Sequence, residues 1–340
     1  MKRSFIVLVL IFPVILKAQS SVIGVASFKG VQVTGVTVTE SGRIFANFPR
    51  WRKGVPFSIV EVFPDGNYKP YPDKTVNSWE VGDPAGEKFI GIQSVVASGE
   101  ELYVLETANP MFSGIITSPK IYVYDLGNDT LKDTYVLPDG VVKEDSYVND
   151  LRVDVKKDKI YLTDSKRPGL IIVDKRNRTF TRVLDGHRFT TAEADHLTFG
   201  DKPLKAEVHS DGIALDTKND VLYFHALTGY TLYGIKTEDL LDPEKLKTVK
   251  PFKIKTAAPD GMIIDKRGNL YFADLENNKI QYLAPDRKTI ETLVEGEDVR
   301  WADTFGVYDG YLYYTNSRIH EVEGSIDDME FTINKVKLPE

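Results

Sequence analysis

Six stretches of this 340-residue chain repeat one pattern, and a period of that length limits the fold more than any other feature. They are GVTVTESGRIFANF from Gly35, GIQSVVASGEELYVLET from Gly91, NDLRVDVKKDKIYLTDS from Asn149, SDGIALDTKNDVLYFHA from Ser210, PDGMIIDKRGNLYFADL from Pro259 and ADTFGVYDGYLYYTNS from Ala302. Each carries one aromatic residue at the matching place: Phe45, Tyr103, Tyr161, Tyr223, Tyr271 and Tyr313, at intervals of 58, 58, 62, 48 and 42 residues. Within a unit, apolar residues alternate with period two, a polar break such as Lys218-Asn219-Asp220 follows, and a Val/Leu/Tyr/Phe-rich run closes it. This reads as strand, hairpin and strand. Third strands are expected at 121–124, 169–173, 232–235 and 279–283, and fourth strands at 179–184 and 289–293. The only helical stretch, 238–246, amounts to a turn or two.

Six such units predict an all-β fold, a six-bladed β-propeller of four-stranded antiparallel blades. A sandwich or a pair of barrels would not require six similar units. The start, Val22–Phe28, and the tail, Phe331–Val336, are the expected closing strands, because a ring must hide its last sheet edge. The chain is 42% hydrophobic with 17 Tyr and 17 Phe, enough to fill one large core.

The N-terminus reads as a signal peptide over residues 1–18. Lys2 and Arg3 precede an apolar run from Phe5 to Leu16, and Ala18 precedes Gln19. The run is too short to span a bilayer, so the expectation is a single propeller domain, residues 19–340, secreted or periplasmic and free of the membrane after cleavage. The chain has no cysteine, which excludes disulfides, a lipid on cysteine and iron–sulfur centres. Its formal charge is −7, and losing Lys2, Arg3 and Lys17 takes it to −10. An acidic surface repels phosphate backbones, so a nucleic-acid partner is not expected. No His pair has metalloprotease spacing, and no nucleophile-elbow, Walker or dinucleotide motif is present, so neither serine hydrolysis nor nucleotide or haem binding is expected. The protein is read as a monomer with a small-molecule partner.

Resemblance enters through Arg50-Trp51-Arg52-Lys53-Gly54-Val55-Pro56, IYVYDLGNDTLKDTYVLPDG from Ile121, VNDLRVD with YLTDSKRPGLIIVD, DGIALDTKNDVLYFHALTGYTLYGI from Asp211 and WADTFGVYDGYLYYTNSRI from Trp301. These resemble the Yellow/major royal jelly protein family, spread in order over nearly the whole mature chain. The resemblance implies a six-bladed propeller and leaves function open among dopachrome conversion, amine binding and nutrition. The absence of cysteine is that of a bacterial-type member. PDGMIIDKRGNLYFAD is also similar to blades of regucalcin and gluconolactonase-like propellers, which implies a divalent ion, Ca²⁺ or similar, held by Asn149 and by Asp211 or Asp260. The Glu that those proteins carry in the first blade is absent here, where Gln32-Val33-Thr34 stands.

The inner strand of each blade lines the channel, so residues just before it gather at one mouth. Asn149, Asp150, Asp211, Asp260 and Asp303 beside Trp301 are placed there. Like charges close together raise one another's pKa unless a cation sits among them. The Asp-Gly pairs are equally good turn signals. Asn149 and Asp211 are assigned to a metal. Asp260 and Asp303 are assigned to catalysis. Asp150, Trp301, Asn316 and Glu106, which stands where the resembled family tends to have Asp, are assigned to a ligand. The reading is a small-molecule site with metal-assisted lactone hydrolysis or tautomerisation. The alternatives are a non-catalytic binder of a cationic or aromatic ligand, with Trp301 supplying the aromatic face, and a protein-interaction platform. The stretch 185–208 is too long for an ordinary connection and is expected to form a lid or rim over that mouth. His225, Trp51 and Trp79 are expected to pack rather than bind.

Overall fold

A computed structural model describes residues 21–339; the proposed signal segment lies outside the described residues. Six four-stranded antiparallel sheets stand around one axis. Their inner strands are Gly35–Val38, Ile92–Ser98, Val148–Asp154, Ser210–Asp216, Met262–Ile264 and Ala302–Tyr308, for blades 1 to 6 in that order. Each inner strand touches the next, and the sixth touches the first. The expected third and fourth strands form, and the short helical region becomes two helices, Thr237–Leu240 and Pro243–Thr248. Among the described residues no helix is long and apolar enough to cross a membrane.

Blades are buried on both faces, which explains runs of apolar residues in which period two is still visible. In blade 3, Ile160 and Leu162 pack toward blade 2, whereas Tyr161 between them packs toward blade 4. The six repeated aromatics share this sense: Phe45, Tyr103, Tyr161, Tyr223, Tyr271 and Tyr313 are all buried, each in the core it shares with the following blade. The repeat is therefore an inter-blade packing rule written once per blade. The hairpins at the other end of the inner strands are held by aspartates. Asp216 accepts from the backbone N–H of Lys218 and Asn219, and Asp265 from those of Arg267 and Asn269, at 2.8–3.1 Å.

Ring closure uses the two expected strands. Val22–Lys29 pairs antiparallel with Glu330–Lys337 and becomes the outer strand of blade 6. Phe28 on this strand is buried, with its ring centroid 4.9 Å from that of Phe48 in blade 1. Phe28→Ala is expected to cost about 3–5 kcal/mol, as for other buried Phe truncations, and to lower the melting temperature of the whole ring cooperatively. An unchanged melt would mean that closure contributes little to stability.

Candidate active site

The residues ahead of the inner strands face the axis because the strands begin irregularly. The pairing register shifts between Ile92 and Ser94, Val148 and Leu151, Ser210 and Ile213, and Ala302 and Phe305. Such bulges release a residue from the ladder and re-aim its side chain. Gln93, Asn149, Asp150, Asp211 and Asp303 sit in them, and Asp260 takes the matching place just before blade 5.

The glycines of the Asp-Gly pairs serve close approach rather than turns. A Cβ on Gly212 would lie 2.4 Å from the carbonyl oxygen of Asp260, and one on Gly261 would lie 2.2 Å from that of Asp303. Blades 4, 5 and 6 can approach this closely only without side chains there, and the approach brings Asp211, Asp260 and Asp303 together.

All three carboxyls are buried. Burial, and then the charges of Asp260, Asp303 and Asp150, push Asp211 well above the usual 3.8. Burial and the charge of Asp260 push Asp303 up likewise. Asp260 rises to about 7 through burial, held back by hydrogen bonds from the Trp301 indole and from Asp211. Trp301 Nε1 donates to Asp260 Oδ2 at 2.7 Å, and Asn149 Nδ2 donates to Asp211 Oδ1.

A polar chain runs from this pair across the mouth. Gln93 Nε2 donates to Asn149 Oδ1 at 3.0 Å, the Tyr147 hydroxyl donates to Gln93 Oε1 at 2.6 Å, and Trp51 Nε1 donates to the Tyr147 oxygen at 2.6 Å. Below it, Asp150 accepts from the Ser94 hydroxyl at 2.7 Å and pairs with Arg152 at 2.9 Å. Arg152 also reaches across the channel to the carbonyl oxygen of Met262 in blade 5, at 2.6 Å. Gln93, Tyr147 and Arg152 escaped the sequence reading. Gln93 had a signal, since Ile92-Gln93-Ser94 occupies the same place in its repeat as Val148-Asn149-Asp150.

Three assigned residues have other occupations. Glu106 accepts from the backbone N–H of Ile90, Gly91 and Ala108 at 2.7–2.8 Å, which anchors the loops of blade 2. Asn316 accepts from Arg300 N at 2.8 Å and donates to Asp298 O at 2.9 Å, holding the approach to Trp301. Trp301 is buried, with Phe199 5.6 Å and His320 5.7 Å from its ring and those two stacked on each other 4.3 Å apart, so the aromatic face expected for a ligand is not open to one. Phe199 belongs to a hairpin, His196–Phe199 with Lys202–Lys205, formed by the long 185–208 stretch, which thus rims the acidic mouth on the side of blades 5 and 6. His225 is buried, with its ring nitrogens 2.6 Å from Ala226 O and 2.8 Å from Thr256 Oγ1, and burial pushes its pKa down to about 4; it is a packed core residue.

The donor set does not fit the expected divalent ion. The Asn149 amide oxygen already accepts from Gln93, its nitrogen faces Asp211, and Asp150 is paired with Arg152. Among the described residues, no group of three or more His, Asp or Glu side chains is placed to hold a metal.

A six-bladed propeller with a buried carboxylate cluster at its channel mouth is the class these features define. The chain belongs to the major royal jelly protein family: the family model described as "Major royal jelly protein" matches residues 96–338. The chain is similar to "Protein yellow" of Drosophila erecta, at 25% identity over 59% of this chain and 40% of that protein. It is also similar to "Dopaminechrome tautomerase" of Drosophila melanogaster, at 29% identity over 61% of this chain and 48% of that protein. It thus spans less than half the length of these relatives. Among solved structures, a gluconolactonase from Xanthomonas campestris superposes with a TM-score of 0.57 at 12% identity, covering 94% of this chain and 90% of that one. Virginiamycin B lyase from Staphylococcus aureus gives 0.55 at 14% identity, covering 94% and 100%. At these identities the solved structures share the fold.

The raised pKa of Asp260 makes stability depend on pH in a defined sense. Between about pH 4 and 7 the folded chain keeps a proton at Asp260 that the unfolded chain has released. Stability is full below this range and falls as pH rises through it, by up to about 1.4 kcal/mol per pH unit. Asp260→Asn cannot ionise, so its melting temperature is expected to fall less steeply over this range and to exceed the wild-type value above pH 7. Parallel wild-type and variant curves would contradict the assignment.

Proposed function

We propose that this mouth moves a proton within a small molecule, as a tautomerase, with Asp260 as the base and Asp211 as the acid. The observation that carries the reading is the geometry of the cluster: Gly212 and Gly261 let blades 4, 5 and 6 bring Asp211, Asp260 and Asp303 into one buried space, with Trp301 bonded to Asp260 and Asn149 to Asp211. It places Asp260, pushed up to about 7, beside Asp211, pushed well above the usual carboxylate range, and carboxyls of unequal raised pKa side by side suit acid–base work near neutral pH. Asp260 takes a proton from one atom of the substrate while Asp211 delivers one to another. Substrate and product are isomers and the pair ends with its single proton exchanged, so no oxidant or water is consumed. Trp301 keeps Asp260 in place and ionisable, and Asn149 fixes Asp211. The similarity to a dopaminechrome tautomerase supports this choice over lactone hydrolysis assisted by a divalent ion, which would require Asn149 and Asp150 to exchange their present partners. Export to the periplasm or the medium belongs to the same reading and rests on the apolar leader at Phe5–Leu16.

The test is turnover of dopaminechrome by the mature chain, followed optically. Wild type is expected to isomerise it with or without chelator, and Asp260→Asn and Asp211→Asn are each expected to lower kcat by about 10²–10⁴-fold while remaining folded. Activity abolished by chelation and restored by Ca²⁺ would overturn the metal-free mechanism. Binding of dopaminechrome or an amine without turnover would favour the binder.

A melt after chelation, repeated with Ca²⁺, Mg²⁺, Mn²⁺ or Zn²⁺, provides a separate check. The occupied donors predict no shift; a saturable rise would mean that an ion enters and rearranges them.

A further inference from the structure

A second site lies outside the channel, between two connections of blade 1. The loop after its second strand supplies Arg50, Arg52, Lys53, Val55 and Pro56, and the connection to blade 2 supplies Asn77, Trp79 and Val81. Between them is a cavity of about 460 Å³. Its polar groups are oddly balanced. Arg50 is 2% exposed, yet its guanidinium is held only by neutral acceptors: the Ser58 hydroxyl, Phe89 O at 2.9 Å and Asn77 O at 2.8 Å. Burial pushes its pKa down to about 10, and burial lowers that of Arg52 as well. Among the described residues neither arginine forms an ion pair within 4.0 Å; the carboxylates acting on Arg50 from farther off are the buried Glu106 and the exposed Glu80 at the cavity wall.

Two buried donors in the same wall are left unsatisfied. Trp79 is 2% exposed and its Nε1 has no acceptor; Arg52 Nη1 is likewise buried and without a partner. An unmet buried donor destabilises the fold, and a buried cation gains little from carboxylates that stand outside pairing distance, as Glu106 and Glu80 do around Arg50. Trp79 with an orphaned indole N–H, Arg52 with an orphaned Nη1 and the buried Arg50 gather donors around one hollow whose wall holds a single carboxylate, Glu80, in a chain whose net charge is −7.

We propose that this hollow is an oxyanion site, taking the carboxylate, sulfate or phosphate group of a small organic molecule on Trp79 Nε1–H and Arg52, with Lys53 at the rim. A guanidinium fork and an indole N–H together supply the donors that one such group can accept. Val55, Pro56 and Val81 offer an apolar wall for the remainder of the molecule, and the volume suits a ligand larger than a bare ion. The site is independent of the acidic mouth and of the reaction proposed there.

The indole N–H signals of the ¹⁵N-labelled chain report on it directly. The chain has three tryptophans, and the signal missing from Trp79→Phe identifies Trp79. Titrating sodium sulfate, phosphate or acetate against sodium chloride at constant ionic strength is expected to move that signal saturably with at least one of the three oxyanions and not with chloride. Response to acetate alone would mark a planar carboxylate head, response to sulfate or phosphate alone a tetrahedral one, and response to both a site reading the shared chemistry. Arg52→Met is expected to weaken the apparent affinity at least tenfold, with unmoved Trp51 and Trp301 signals proving that the variant is folded. A Trp79 signal that ignores all three oxyanions, or responds equally to chloride or in Arg52→Met, overturns the proposal.

Discussion

The ladder between Val22–Lys29 and Glu330–Lys337 holds together ends of the chain that lie some three hundred residues apart, and everything at the axis depends on it. An open ring would leave the edge of blade 6 unpaired and let the inner strands spread. With the ring closed, each inner strand is pressed against its neighbours, and the bulged starts of those strands have only the axis to face. The same constraint explains the glycines: with Gly212 and Gly261, blades 4, 5 and 6 come close enough for their backbones to touch, and the carboxyls beside those glycines are forced into one buried space.

Forced proximity is the origin of the chemistry. Three carboxyls removed from water oppose one another's ionisation, which pushes Asp211 and Asp303 well above the usual carboxylate range and Asp260, bonded to the Trp301 indole, up to about 7. A bound ion would be another solution to the same electrostatic problem. Here the remaining donors are committed elsewhere, Asn149 to Gln93 and Asp211, and Asp150 to Arg152. In the reading proposed here, protons do the work that a cation would otherwise do.

Much of the fold was legible in the sequence because each blade repeats one packing instruction. The six aligned aromatics, the alternation around them and the two closing strands all read through, and each aromatic turned out to fill the interface with the next blade. The convergence of Asn149, Asp150, Asp211, Asp260 and Asp303 was legible for the same reason, since a repeat places equivalent residues around one axis. Contacts between non-equivalent positions were not. Tyr147 and Trp51 meet through loops of different blades, Arg152 crosses from blade 3 to blade 5, and Phe199 arrives from an insertion that no other blade has. Glu106 and Asn316 were assigned to a ligand from the sequence, but backbone amides at their loops engage them.

The most direct test of the account is the infrared spectrum of the mature protein at pH 7. The carbonyl stretch of a protonated carboxylic acid should be present at a pH where ordinary aspartates are fully ionised. It should weaken in Asp211→Asn, while a variant of an exposed turn aspartate such as Asp286 leaves it unchanged. Absence of any protonated carboxyl band at neutral pH, or a band indifferent to Asp211→Asn, would mean that the cluster is ionised and that the shared proton at the centre of this account does not exist.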